Sequence, residues 1–194
     1  MKKLFVTALA LCLPSSLTAQ PAEEGEPRWS IAIHGGAGTL DPDVMSPERR
    51  AAYEAALQNA LDAGAAILAD GGSAIAAVRA AIVPMEDDPL FNAGRGAVFT
   101  WDGVNELDAS IMDGRDRSAG AVTGVTSIKN PILLADAVRT ESEHVFLMGE
   151  GAEQFAATQD IETVGSEWFA TEARRGSLER MKARELSALD VDAK

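Results

Sequence analysis

The chain has 194 residues, 30 of them acidic and 17 Lys or Arg, for a formal charge of −13, and 46% are hydrophobic. That is the composition of one globular unit, and no stretch concentrates enough cation on one face to neutralise phosphates. Nucleic acid and anionic membrane surfaces are therefore excluded as natural partners.

Met1 to Ala19 has the layout of a secretory signal peptide: Lys2 and Lys3, an apolar run from Leu4 to Leu13, then Pro14 and small residues. The run is too short to span a bilayer, and polar residues follow it. The mature protein is expected to be exported, periplasmic or secreted. Its only cysteine, Cys12, would leave with the leader, removing disulfides and thiolate chemistry together.

Residues 20–28 read as a Pro/Glu/Gly tether, followed by a core over 29–165 and a charged helical linker over 166–194. Trp29 to His34 alternates apolar and polar residues as a half-buried strand does, and stops at Gly35-Gly36-Ala37-Gly38. Ser46-Pro47-Glu48 is a helix start, with a capping hydroxyl, proline in the first turn and an acid beside it. That helix runs to about Asp70, with Tyr53, Leu57, Leu61, Gly64 and Ile67 on one stripe and Gly71-Gly72 closing it. Ser73 caps a second helix that buries Ile75, Val78 and Ile82 and ends near Pro84; the alanines of both helices suit close packing on a sheet.

Three β-like runs follow, Ala97 to Trp101, Glu106 to Met112 and Ala119 to Ser127, separated by Asp102-Gly103 and Asp113-Gly114. They predict an antiparallel meander. Asn130-Pro131 opens a helix through Val138, Val145 to Met148 is a strand, and Glu150 to Ala157 is helical again. Helices, then hairpins, then helices define a layered α+β chain rather than a doubly wound one.

A complete catalytic set is harder to find. His34 and His144 are the only histidines, and neither a Gly-x-Ser-x-Gly elbow nor a phosphate-binding loop occurs. Two distant histidines and a cysteine-free mature chain argue against zinc. Glu106, Asp108 and Asp113 offer a carboxylate pair, although strand alternation and turn chemistry account for them equally. The glycines from Gly35 to Gly38 either permit positive φ at a strand end or let the backbone approach a ligand.

Seven ordered segments resemble the α subunit of isoaspartyl peptidases, or plant-type L-asparaginases, which are N-terminal-nucleophile hydrolases of the threonine type. They are Ile31 to Gly38, Pro89 to Phe99, Glu106 to Ala109, Met112 to Gly114, Ala119 to Val122, Lys129 to Pro131 and Gly149 to Glu153. The resemblance implies an αββα sandwich, of which this chain is the first half. It also implies a precursor that cuts itself to expose a threonine within a Gly-Thr-Val-Gly-type motif at the start of a β subunit. No such motif occurs here. The expectation is thus an α chain without the nucleophile, since the attacking hydroxyl takes its own free α-amine as base.

The resemblance further implies that Asn92 sits beside that threonine and that the His34-Gly35-Gly36 loop lies close to it. A structural sodium ion would rest mainly on backbone carbonyls of Met85, Glu86, Asp88, Phe91, Ala93 and Arg95. The expected partner is the β subunit, in an (αβ)2 heterotetramer acting on L-asparagine and β-aspartyl dipeptides. Two other readings stay open: a glycosylasparaginase-type subunit, and a non-enzymatic scaffold or cation-binding domain. Half a sandwich exposes sheet and apolar surface, so the isolated chain is expected to be poorly soluble.

Overall fold

The computed structural model of the chain describes residues 29–36 and 45–192. The expected signal peptide, the tether, Cys12 and the Ala37-Gly38 end of the glycine loop lie outside the described residues.

Helix α1 (Pro47–Ala69) begins as expected: the Ser46 hydroxyl accepts the Arg49 N–H at 3.2 Å. It ends where Gly71 turns to φ +79°, Gly71 N donating to Leu68 O and Gly72 N to Ile67 O. Those two bonds form the Schellman closure, which uses otherwise orphaned carbonyls. Helix α2 (Ala74–Asp87) is capped by Ser73. It does not stop at Pro84: the proline removes one backbone hydrogen bond, yet the helix continues to Asp87. Its buried side chains are Ile75, Ala77, Ala81 and Glu86, whereas Val78 is exposed. The alanines serve contact with α1 rather than with a sheet. At Gly64 of α1 a side chain would meet Ile31 and the Ala77 carbonyl, so only glycine lets these segments close up.

The expected strand from Trp29 to His34 is not formed. Its alternation is real, with Ile31 and Ile33 half-buried and Ala32 and His34 exposed, but among the described residues it has no ladder partner. Ile31 lies instead against Gly64.

The sheet has the order β1 (Leu107–Met112), β2 (Ala119–Val125), β3 (Phe146–Met148). β1 and β2 are antiparallel, with Ala109 opposite Val122 and Met112 opposite Ala119. Their turn is tied by Asp113 N to Ser118 O at 2.9 Å and Arg117 N to Asp113 O at 2.8 Å. The third expected strand of the meander, Ala97 to Trp101, makes only one bridge, Phe99 to Asn105, around a turn that uses Gly103 at φ +84°. β3 runs parallel to β2 because α3 (Pro131–Glu141) carries the chain back between them. Helix α4 (Gly149–Ala156) follows, then a short 3-10 turn, Ser166–Trp168, and α5 (Glu172–Asp192).

The core lies between the sheet and α3 and α4. Leu107, Ile111, Val122 and Val125 point from the sheet onto Ile132, Leu134, Ala135 and Val138, with Ala152, Ala156 and Phe169 closing the side. Gly120 allows the contact: a Cβ there would sit 2.0 Å from the Ala135 carbonyl oxygen. Asp136 of α3 is buried and held by Arg79 of α2 at 3.0 Å and by Arg139 at 2.8 Å, fastening the helical hairpin to the sheet layer.

Candidate active site

The loop leaving α2 is rigid for reasons visible in its residues. Pro89 has no N–H, the Leu90 N–H turns to the Asp88 carboxylate at 2.9 Å, and the Phe91 N–H goes to Asp88 O at 3.2 Å. Phe91 is buried edge-on against Tyr53, with ring centroids 6.0 Å apart, and the Tyr53 hydroxyl donates to Leu90 O at 2.9 Å. Two glycines then allow the backbone to fold back on itself. A Cβ at Gly94, where φ is +50°, would meet the Glu86 carbonyl oxygen at 2.2 Å, and one at Gly96 the Phe91 oxygen at 2.1 Å.

Asn92 stands exposed on this loop, and its Oδ1 accepts the Val98 N–H at 2.8 Å. With the oxygen engaged, the amide NH2 is the end left to meet a ligand. Asn105, itself buried, braces the far side by donating to the carbonyls of Ala97 at 2.9 Å and Val98 at 3.2 Å.

The His34-Gly35-Gly36 segment reaches the same cleft as Tyr53 through its two glycines. The Gly36 N–H donates to His34 Nδ1 at 3.1 Å, Gly36 has φ +114°, and Gly35 passes so close to Leu57 that a Cβ would touch it at 3.0 Å. Gly35, Gly36, Arg50, Tyr53 and Glu54 line a cleft of about 330 Å³. Tyr53 thus joins the two expected site segments, its ring lining the cleft and its hydroxyl holding the loop two residues before Asn92.

A hard cation would find oxygen here. The last carbonyls of a helix lack internal donors and carry the negative end of its dipole. Pro89 cannot donate back to Met85, and Leu90 N–H is used by Asp88 rather than by Glu86. The carbonyls of Asp88 and Ala93 accept one long bond each, at 3.2 and 3.3 Å, and keep a free lone pair. Among the described residues no group of three His, Cys, Asp or Glu is placed to hold a metal, so a cation at Met85, Glu86, Asp88, Phe91, Ala93 and Arg95 would rest on backbone oxygens.

The Glu86 side chain turns inward. Its Oε1 accepts the Ile132 N–H at 3.0 Å, while Oε2 is buried without a partner. Burial favours the neutral form of this carboxyl and pushes it up to about 8, against the opposing effect of the Ile132 N–H. Nothing in the sequence marked Glu86 as a core group.

The other candidates separate. Asp108 accepts the Thr123 hydroxyl and the Gly124 N–H, Asp113 is held by Arg115, and Glu106 is exposed; no carboxylate pair forms among them. His144 is exposed in a turn closed by Ser142. Among the described residues, neither imidazole meets a hydroxyl or a carboxylate. Glu162-Thr163-Val164-Gly165 comes nearest to a Gly-Thr-Val-Gly sequence, but Thr163 is bridged to Ile128 and Val164 N–H donates to Ser127 O, which marks a structural segment. Glu153, which the sequence did not single out as a functional group, ties that region together. Burial opposes its ionisation, but the hydrogen bonds from Thr126 and Ser127 outweigh it and lower its carboxyl.

The fold and the loop together define a layered α+β chain that presents an asparagine on a glycine-braced turn. The asparaginase family model matches residues 27–193, and the chain belongs to that family. It is 45% identical over 160 residues to an isoaspartyl peptidase of Salmonella typhimurium, covering 82% of this chain and 51% of the relative. It is 44% identical over 162 residues to a putative isoaspartyl peptidase/L-asparaginase of Dictyostelium discoideum, 84% of this chain and 47% of that protein. The human isoaspartyl peptidase/L-asparaginase is 44% identical over 152 residues, 78% and 48%. The chain therefore spans about half the length of the curated relatives it matches.

Proposed function

We propose that this chain is the α subunit of an exported isoaspartyl peptidase/L-asparaginase, paired with a β subunit whose N-terminal threonine is the nucleophile. The observation carrying the proposal is the 44–45% identity to isoaspartyl peptidases over about four-fifths of the chain. The sheet face turned away from α3 and α4, where Met112, Phe146 and Met148 are exposed, is where the second sheet of an αββα sandwich would lie, and two αβ units would form the (αβ)2 assembly.

In the reaction, the threonine hydroxyl adds to the side-chain carbonyl of L-asparagine or of a β-aspartyl dipeptide while its own α-amine takes the proton. The tetrahedral intermediate expels ammonia or the amine of the next residue, leaving an ester that water hydrolyses; oxyanion donors on the β subunit stabilise the developing charge. This chain supplies position. Asn92 presents its NH2 to the threonine oxygen because Val98 has taken its Oδ1, and Tyr53, which holds the Leu90 carbonyl, lines one cleft with Gly35 and Gly36. The carbonyls of Met85, Glu86, Asp88, Phe91, Ala93 and Arg95 would hold a sodium ion, whose contribution is to stiffen the Asn92 loop.

Mass spectrometry of the purified full-length protein should find a second polypeptide beginning with threonine, and turnover of β-aspartyl dipeptides should exceed that of glycosyl-asparagine. Asn92→Ala is expected to cut turnover by about 100-fold, the scale of losing one positioned donor, with only a small drop in melting temperature from the lost bond to Val98. Full activity from this chain alone would refute the proposal.

A further inference from the structure

We infer that Arg174 is a positioning residue for Asn92, delivered by α5 as a strap fastened through cations resting on aromatic rings; this builds on the role given to Asn92 above. Helix α5 needs a reason to be ordered at all. None of its described side chains is buried, and no apolar stripe runs along it. A helix polar all round docks only through specific contacts.

Those contacts converge on one short segment. The Arg175 guanidinium lies 4.8 Å from the Phe99 ring centroid and the Lys182 ammonium 5.2 Å from that of Trp101. Just before the helix, the Trp168 ring carries Arg95 at 5.0 Å and Lys129 at 5.3 Å. Each such contact contributes about 0.5–1 kcal/mol at an exposed site. In every one except the Lys129 contact, a residue of the 95–101 segment meets the C-terminal region.

Between these fastenings, Arg174 Nε donates to the Gly96 carbonyl at 2.7 Å across 78 residues of sequence. The peptide joining Gly96 to Ala97 is thereby pinned at both ends, its oxygen by Arg174 and its N–H by Gly94 O at 3.1 Å. One residue further on, Val98 N–H holds Asn92 Oδ1. Only the two dihedrals of Ala97 separate this pinned peptide from the one carrying the Val98 N–H, which Asn105 holds from its other end at the Ala97 carbonyl, and that N–H decides which end of the Asn92 amide faces outward. Arg174 acts at one remove, through the Gly96 carbonyl. The donor is charged and the stem half-buried, so its loss is felt as slack in the loop rather than as unfolding.

The test compares Arg174→Met and Arg174→Lys in the full-length protein by hydrogen exchange of the 92–99 peptide and by steady-state kinetics. Losing one charge-assisted hydrogen bond should speed exchange at Val98 about tenfold and lower kcat by a similar factor with KM nearly unchanged, and Lys should recover part of both. A double variant, Arg175→Leu with Lys182→Leu, loosens the strap without touching Arg174 and should speed the same exchange by a smaller factor. Wild-type exchange at Val98 in the Met variant overturns the inference, whatever happens to kcat. If Arg174→Met fails to fold, the Arg175→Leu with Lys182→Leu variant decides, since wild-type exchange at Val98 with the strap loosened would also overturn the inference. Accelerated exchange in a protein whose wild type hydrolyses neither substrate would leave the positioning intact and sink the proposed function instead.

Discussion

The two faces of the sheet are finished in opposite ways. Leu107, Ile111, Val122 and Val125 are almost wholly covered by α3 and α4. On the opposite face Met112 is 58% exposed, Phe146 52% and Met148 66%, and between them run Asp108, Ser110, Ala121 and Thr123. These residues alternate along the same strands, so the backbone is common to both faces and only the side chains distinguish them. One face is finished by helices of its own chain. The other, with small residues in the middle and large apolar ones at its margin, suits a second layer, which the proposed β subunit would supply.

The sharpest way to sharpen this contrast is to remove volume from the covered face. Leu134→Ala should cost about 2–5 kcal/mol, measured by urea denaturation, because α3 cannot collapse onto the sheet. Adding volume there should also be costly: Gly120→Ala places a methyl against the Ala135 carbonyl and should cost about 1–3 kcal/mol. A smaller effect is expected at the hairpin end. The side-chain and then the backbone hydrogen bonds of Arg115 hold the Asp113 carboxyl at about 2, well below the usual carboxylate range. A depressed folded-state pKa gives stability that is present above about pH 4 and lost as pH falls through about 2. Asp113→Asn should therefore lower the melting temperature at pH 7, and the difference should narrow as the pH falls from about 4 through about 2. Least of all, Met112→Ser on the bare face should change the stability of the chain by under about 0.5 kcal/mol while weakening assembly with the partner in gel filtration. A large loss of stability from that last variant would break the comparison.

Elements with a local cause were legible in the sequence. Ser46-Pro47, Ser73, Gly71-Gly72 and Asn130-Pro131 each mark a helix end within a residue or two, because capping and proline act over one turn. Features that depend on partners were not. Alternation from Trp29 to His34 describes a strand's faces but cannot provide a neighbour, and the parallel placement of β3 follows from where α3 lands. Val78 is exposed because α2 packs through its alanines instead. In the candidate site, the motif around Asn92 could be read from the sequence, but the hydrogen bond of Asn92 to Val98 and the tie from Arg174 to Gly96 could not. The latter spans 78 positions with no periodicity to betray it.

Pro89 matters for the hydrogen it withholds. A non-proline residue there would carry the donor that a further turn of α2 needs for the Met85 carbonyl, and would release Asp88 from the extended backbone that a following proline favours. Since a turn consumes 3.6 residues and advances about 5.4 Å, such a turn would take up the residues from Pro89 to Asn92 and undo the fold-back that Gly94 and Gly96 allow. A missing N–H therefore works as a spacer: it ends the rod early and leaves slack enough for the chain to double back and face outward.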